Sequence, residues 1–339
     1  MKKRQLIIAS LAVIAILCLL FFGHSKERNE AIYQHNEGTI FGTIYHVKYQ
    51  YANDIKADIE AELQMVDSSL SMFNPQSTIS KINKGETDEV DEMLSEVLQL
   101  SFKVNNATNG AFDPTVAPLV NAWGFGFKKD KMPNPNQVDS LLSLVGLSHI
   151  QLQEGKLTKD NPLSILDFSA IAKGYGVDRA AEVLRRKGIK NFMVEIGGEV
   201  VTAGLNDKGE DWRIGINKPD DDSTAIYTEL QDIISLSNKA IATSGNYRNY
   251  YIQDGRKIAH TINPKTGYPA QQDILSSTVM APSCAEADAF ATAFMVLGLE
   301  EAKKVLQKQP QLEAYFIYSD KQGEYQTWCT EGFRKLIIK

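Results

Sequence analysis

The chain has 339 residues, 43% of them hydrophobic and 23% charged, with a formal net charge of −6. Length and composition suit a folded protein with a large core or two lobes. The acidic balance, with no basic stripe and no alternation of aromatic and basic residues, argues against nucleic acid as a partner.

The N-terminus reads Met1-Lys2-Lys3-Arg4, followed by an uncharged run from Leu6 to Phe22. Cations ahead of an apolar run form an export signature that leaves the positive end in the cytoplasm. The run sits at the short edge of what spans a bilayer. We read residues 1–23 as an uncleaved inner-membrane anchor with the rest of the chain outside the cytoplasm, and 24–37 as a polar linker. Cys18 follows Leu17, and a bulky residue there argues against lipidation without closing the option. Past the anchor only Cys284 and Cys329 remain, free to pair in an oxidising compartment, and no zinc-type spacing is present.

A strand is predicted over Gly38 to Tyr51, where Thr, Ile, Tyr and Val recur at β spacing. Ile55, Ile59, Leu63, Val66 and Leu70 predict a helix over Asp54 to Leu70. Ser71 to Asn83 reads as a polar turn region around Asn74-Pro75, and Glu92 to Thr108 as a second helix stopped by Asn109-Gly110. Asp113 to Lys129 is loop-rich, and Asn136 to Val145 a short helix. The second half alternates. A strand over Leu163 to Phe168 leads to a helix from Ser169 to Lys187, and Phe192 to Gly204 is a strand interrupted by Gly197-Gly198. Further strands are expected at Trp212 to Asn217, Thr228 to Ser237, Ala240 to Ser244, Thr278 to Met280 and Ala314 to Tyr318. A hairpin over Tyr250 to Gln253 and Lys257 to Ile262 turns at Asp254-Gly255, and helices are expected around Asp288 and over Glu300 to Lys308. Strands and helices intermix without strict βαβ order, which gives the class α+β.

Five constellations carry possible chemistry. Asp288 and Thr292 lie four residues apart in a small, apolar, helix-compatible stretch, so both oxygens share one helix face. Such a pair suits Mg²⁺ or Ca²⁺; alternatively Asp288 caps a nearby loop and Thr292 bonds back to its own helix. Asp167 to Tyr175 forms a strand-to-helix junction whose free N–H groups suit an anion, with Lys173 adding charge; equally, Ser169 is a plain N-cap and Lys173 faces solvent. Gly197-Gly198 marks either a bulge or close approach of a ligand to the backbone. His260 stands just ahead of the Pro264–Gly267 turn, a position suited to a general base or to a structural role. The aromatics, glycines and prolines of Asn109 to Gly126 suit the wall of a flat-ring pocket, or a packed loop.

Taken in order, these blocks resemble the ApbE family, the FAD:protein FMN transferases. The resemblance runs through Phe41-Gly42-Thr43, Leu70 to Asn83, Gly110 to Gly126, Asp167 to Tyr175, Glu195 to Glu199, Thr243 to Tyr247, His260 to Pro269 and Ala285 to Thr292. It implies a flavin transferase domain over residues 38–339, a two-lobed mixed sheet and helix fold, and an FAD site in the cleft between the lobes. It implies Mg²⁺-dependent transfer of FMN from FAD to a Thr or Ser hydroxyl with release of AMP. The expected acceptors are extracytoplasmic flavoproteins such as subunits of the sodium-pumping quinone reductase or related electron-transfer complexes, and the expected compartment is the periplasm. Residue by residue, Asp288 and Thr292 match the Mg²⁺ side-chain ligands and Ala170 a backbone carbonyl ligand. Phe41, Phe73, Ala111, Phe112, Asp113, Asp167, Lys173 and Ile262 match flavin-binding positions, and His260 matches the general base. Phe41 replaces the usual Met, Phe73 a common Tyr, Lys173 a Glu found in some members, and Ala291 an Asp found in some members. FAD pyrophosphatase activity yielding FMN and AMP, and non-catalytic flavin binding at the membrane, are the alternatives.

Overall fold

A computed structural model describes residues 32–126, 132–219, 229–246, 250–253 and 256–338. The run from Leu6 to Phe22, Cys18, Tyr247 and the Asp254-Gly255 turn lie outside the described residues. Among the described residues no helix is long and apolar enough to cross a membrane.

Two strands, β1 (Tyr33–Ile40) and β2 (Thr43–Gln50), pair antiparallel from Tyr33 opposite Gln50 to Ile40 opposite Thr43. The sequence suggests one strand from Gly38 and a linker reaching Glu37. Instead the strand begins at Tyr33 and the chain reverses at Phe41-Gly42. Both turn residues have positive φ, 51° and 73°, the sense that matches the twist of a two-residue hairpin.

Helix α1 (Lys56–Leu70) buries Ile59, Leu63, Val66 and Leu70, as its periodicity predicts. Helix α2 (Thr78–Lys84) falls where a turn region is expected, because the Ser77 hydroxyl accepts the Ser80 N–H and caps it. Helix α3 (Glu92–Ala107) is capped by Asp91, and α4 (Ala117–Ala122) and α5 (Pro135–Leu142) follow. Strands β3 (Ile150–Gln153) and β4 (Lys156–Lys159) make a small hairpin that periodicity does not reveal.

No strand forms over Leu163 to Phe168. The backbone of this stretch is satisfied singly instead: the Asn83 side chain bonds both the N–H and C=O of Leu166, and the Asp167 N–H donates to the Pro114 carbonyl at 2.7 Å. Helix α6 (Ala172–Arg186) starts later than Ser169, because the Asp167 carboxylate holds the Ser169 N–H and hydroxyl in a local turn.

Strands β5 (Phe192–Ile196), β6 (Glu199–Ala203), β7 (Trp212–Asn217), β8 (Leu230–Leu236), β9 (Lys239–Gly245), β10 (Tyr250–Gln253), β11 (Arg256–Ala259) and β12 (Ile274–Ala281) follow. Helices α7 (Cys284–Leu297) and α8 (Leu299–Lys308), strands β13 (Glu313–Ser319) and β14 (Tyr325–Cys329), and the short α9 (Glu331–Arg334) complete the order. The main sheet has eight strands in the order β1-β2-β5-β6-β9-β12-β13-β14, every pairing antiparallel, so the class is α+β.

Helix α7 packs on β9 and β12, and α6 packs on α7, β5 and β6. A helix apolar on every face belongs inside a protein, and α7 is buried from Cys284 through Ala291. Its contact with α6 is backbone to backbone: a Cβ on Gly174 would stand 2.4 Å from the Cys284 carbonyl oxygen. Cys284 is buried, Cys329 is half-buried, and both thiols are free.

Candidate functional site

The α6–α7 contact delivers two of the expected site residues to one place. Asp288 and Thr292 lie a turn apart on α7 and face a cavity of about 390 Å³. The same cavity is lined by Ala111, Phe112 and Asp113 before α4, by Asp167, Ala170 and Lys173 at the start of α6, and by His260 and Ile262 after β11. All the expected site residues except Phe41 and Phe73 therefore meet here.

Phe41 sits at the β1–β2 turn and packs against α6, where a Cβ on Gly176 would meet its ring at 2.4 Å. Phe73, in the loop after α1, is 75% exposed. Neither lines the cavity. A larger cavity of about 770 Å³, bordered by Glu96, Asp178, Arg179 and Lys239, holds none of the expected site residues.

The polar centre of the smaller cavity is a cluster of two carboxylates and one ammonium. Lys173 Nζ donates to Glu199 Oε1 at 2.5 Å, and the Gly174 N–H donates to Asp288 Oδ2 at 3.1 Å. Glu199 and Asp288 are both buried, and Glu199 Oε2 is enclosed with no hydrogen-bond partner. Burial pushes the Asp288 carboxyl up, against the pull of Lys173 and the Gly174 N–H. Burial and the nearby Asp288 charge push Glu199 up to about 8, against Lys173. Lys173 loses from burial but gains more from Asp288 and Glu199, so it stays cationic. Were both carboxyls ionised, one ammonium would leave the cluster short of positive charge.

That shortage and the donor chemistry fit a hard divalent cation. Asp288 offers a carboxylate, Thr292 a hydroxyl shared with Ser244 Oγ at 3.1 Å, and Ala170 a backbone carbonyl at the start of the α6 turn.

The loop residues hold the cavity's shape. The Asp113 carboxylate is spent internally, accepting from the Thr115 N–H at 2.9 Å, the Thr115 hydroxyl at 2.5 Å, the Leu147 N–H at 3.1 Å and the Asn105 amide at 3.2 Å. Burial still raises its pKa, as it raises that of Asp167, whose oxygen is taken by Ser169. The His260 ring meets Phe125 edge to face at 6.3 Å between centroids. Next to it, Thr261 donates to the Asn246 side chain at 2.6 Å, and Ile262 is buried.

Glu199 and Ser244 belong to the site yet are not singled out by sequence reasoning. The Gly197-Gly198 pair was the available signal: it forms the tight turn between β5 and β6 and sets Glu199 at the first position of β6.

The family model described as the ApbE family matches residues 41–316. The chain is 35% identical over 338 residues to the FAD:protein FMN transferase of Vibrio cholerae serotype O1, covering 96% of this chain and 99% of that protein. It is 38% identical over 316 residues to the FAD:protein FMN transferase of Haemophilus influenzae, covering 88% and 90%. Among solved structures, the flavin transferase ApbE from Vibrio cholerae superposes with a TM-score of 0.81 at 35% identity, over 90% of this chain and 99% of that one. The apo flavinyl transferase ApbE of Pseudomonas stutzeri gives 0.80 at 30% identity, over 91% and 98%.

Proposed function

The chain belongs to the ApbE family, and from that premise we propose that it transfers the FMN half of FAD to a Thr or Ser hydroxyl of a target flavoprotein, releasing AMP. The observation that carries this reading is the convergence of Asp288, Thr292, Lys173 and Glu199 with His260 on one cavity.

Breaking a pyrophosphate requires charge to be neutralised on its oxygens and the acceptor hydroxyl to lose its proton. Asp288, Thr292 and the Ala170 carbonyl would hold Mg²⁺, which when bound supplies Lewis-acid stabilisation of phosphate charge. Lys173 is held by Glu199 at the start of α6, where its ammonium and the positive end of the helix dipole favour a phosphate anion, although the Ala172 and Gly174 N–H groups are already taken by the Phe168 carbonyl and Asp288. His260 accepts the proton from the acceptor Oγ and, with Ile262, borders the cavity where the acceptor hydroxyl must enter. Phe112 and Ile262 give apolar wall for a flat ring. Asp113 serves this wall indirectly, by fixing its own loop through four hydrogen bonds.

The cationic Met1-Lys2-Lys3-Arg4 ahead of Leu6 to Phe22 supports an inner-membrane anchor with the catalytic part in the periplasm. Acceptors there would be flavoprotein subunits of the sodium-pumping quinone reductase type. Leu17 disfavours a lipid on Cys18.

The test is incubation of the protein with FAD, Mg²⁺ and an acceptor carrying a flavinylation sequence. Covalent flavin fluorescence on the acceptor supports transfer. Free FMN and AMP without labelled acceptor mean hydrolysis, and unchanged FAD means binding alone; either outcome refutes the reading.

A further inference from the structure

On the β1–β2 hairpin, three side chains with metal-ligating atoms share one face. Glu37 stands directly opposite His46, and His35 lies two residues before Glu37 on the same strand. Residues two apart on a strand point the same way, and directly opposed positions bring their Cβ atoms close. Glu37 Oε2 lies 3.7 Å from His46 Nδ1, and the two imidazole rings are 5.9 Å apart between centroids. One ligand atom from each of the three lies within 4.8 Å of the others. Around a tetrahedral zinc, bonds of about 2.1 Å leave neighbouring donors roughly 3.4 Å apart. Side-chain torsions of His35 and Glu37, both exposed, can close that difference without moving the strands.

The groups around the cluster favour a cation. Glu195, directly opposite His46 on β5, adds a second carboxylate beside that ring, with its Oε1 accepting the Gly198 N–H at 2.6 Å. Lys48, directly opposite His35, is the near cation, and Asp207 holds its ammonium at 2.8 Å.

We propose that His35, Glu37 and His46 form a second metal site, for a first-row divalent transition ion such as Zn²⁺. Two imidazoles and one carboxylate select Zn²⁺, Cu²⁺, Ni²⁺ or Fe²⁺ over Mg²⁺ and Ca²⁺, which take oxygen ligands. The donor set is thus chemically unlike the all-oxygen set at Asp288, and the two sites share no residue. With three protein ligands, at least one coordination position stays open to water or to a ligand from outside. The ion would bridge β1, an outer strand of the main sheet among the described residues, to its neighbour β2.

The experiment is calorimetric titration of the full-length protein with Zn²⁺ in the presence of excess Mg²⁺, alongside His35→Gln, His46→Gln and the double variant. Expected is one equivalent of Zn²⁺, weakened roughly tenfold or more by each single change and abolished in the double variant, since loss of even an outer-shell partner costs about 10–100-fold. Flavin transfer in Mg²⁺ is expected to be unchanged in all three, because none of these residues lines the cavity. As a second readout, the electron paramagnetic resonance spectrum of the Cu²⁺-loaded wild-type protein should show coupling to two imidazole nitrogens. Absence of Zn²⁺ binding, Zn²⁺ binding undiminished in the double variant, or a Cu²⁺ spectrum without nitrogen coupling would each overturn the proposal.

Discussion

Gly174→Ala tests how closely the candidate site depends on the contact between α6 and α7. The added methyl would stand 2.4 Å from the Cys284 carbonyl oxygen, 2.7 Å from its carbon and 2.9 Å from Ala285 Cα. All three are backbone atoms, so relief requires the helices to part. Overpacking of this kind costs about 1–3 kcal/mol, and a backbone obstacle puts it near the upper figure. Ala recovers about 1 kcal/mol over Gly in a helix interior. The net loss is then about 2 kcal/mol, or roughly 3 °C in Tm for a chain of this length. Gly176→Ala is the internal comparison. The three atoms nearest its methyl all belong to the Phe41 ring, the first at 2.4 Å. A side chain on a hairpin turn can swing aside, so the gain in helix propensity should offset most of the cost. Thermal and urea unfolding of the two variants measures both numbers. A Gly174→Ala protein as stable as wild type, or a Gly176→Ala protein that loses more than it, would refute the argument that backbone contact sets the spacing. Transfer activity should fall in Gly174→Ala as well, because the Gly174 N–H orients Asp288.

Asp288→Ala should abolish Mg²⁺-dependent transfer while leaving the fold intact by circular dichroism, and wild-type turnover would remove Asp288 from the metal site. His260→Ala should keep FAD affinity but slow single-turnover transfer by roughly 10²-fold or more, the usual contribution of a general base; near-normal rates would eliminate it. Asp178 accepts the Cys284 and Ala285 N–H groups at the start of α7, and burial raises its pKa from 3.8 to about 6. Because the folded-state value lies above the unfolded one, the stability it contributes is complete below about pH 4 and lost as pH rises through 6. Urea midpoints from pH 3.5 to 7 should decline relative to Asp178→Asn across that window, and parallel curves would contradict the shift.

Where local periodicity and tertiary burial agree, the sequence was readable. The apolar spacing of α1 and α3 marks their buried faces, and the small apolar stretch around Asp288 is indeed the innermost helix. Leu163 to Phe168 misleads because alternation reports only which side chains turn inward. Here those side chains are buried while the backbone is satisfied by Asn83 and Pro114, partners far off in sequence. The hairpin turn at Phe41 is hidden for the opposite reason: a residue poorly suited to positive φ occupies it, held by packing on α6. The same packing explains why Phe41 does not line the cavity. The polar residues there are legible as types at motif positions. The Lys173–Glu199 contact, joining α6 to β6, is not, because no local rule connects residues on separate elements.

The order of strands in the main sheet has a consequence for how this protein acquires its activity. β2 is hydrogen-bonded to β5, so Tyr49 lies opposite Phe192, and the intervening chain folds back as one long excursion that includes Ala111 to Asp113 and Asp167 to Lys173. β9 then pairs with both β6 and β12, closing further long loops. The entropy of closing such loops grows only slowly with length, yet the folding rate falls steeply as contacts become non-local. The cavity draws on residues from Ala111 to Val296, so it exists only once the distant pairings have all formed. Refolding from urea should therefore regain helical signal well before it regains FAD binding, and neither half of the chain expressed alone should bind FAD.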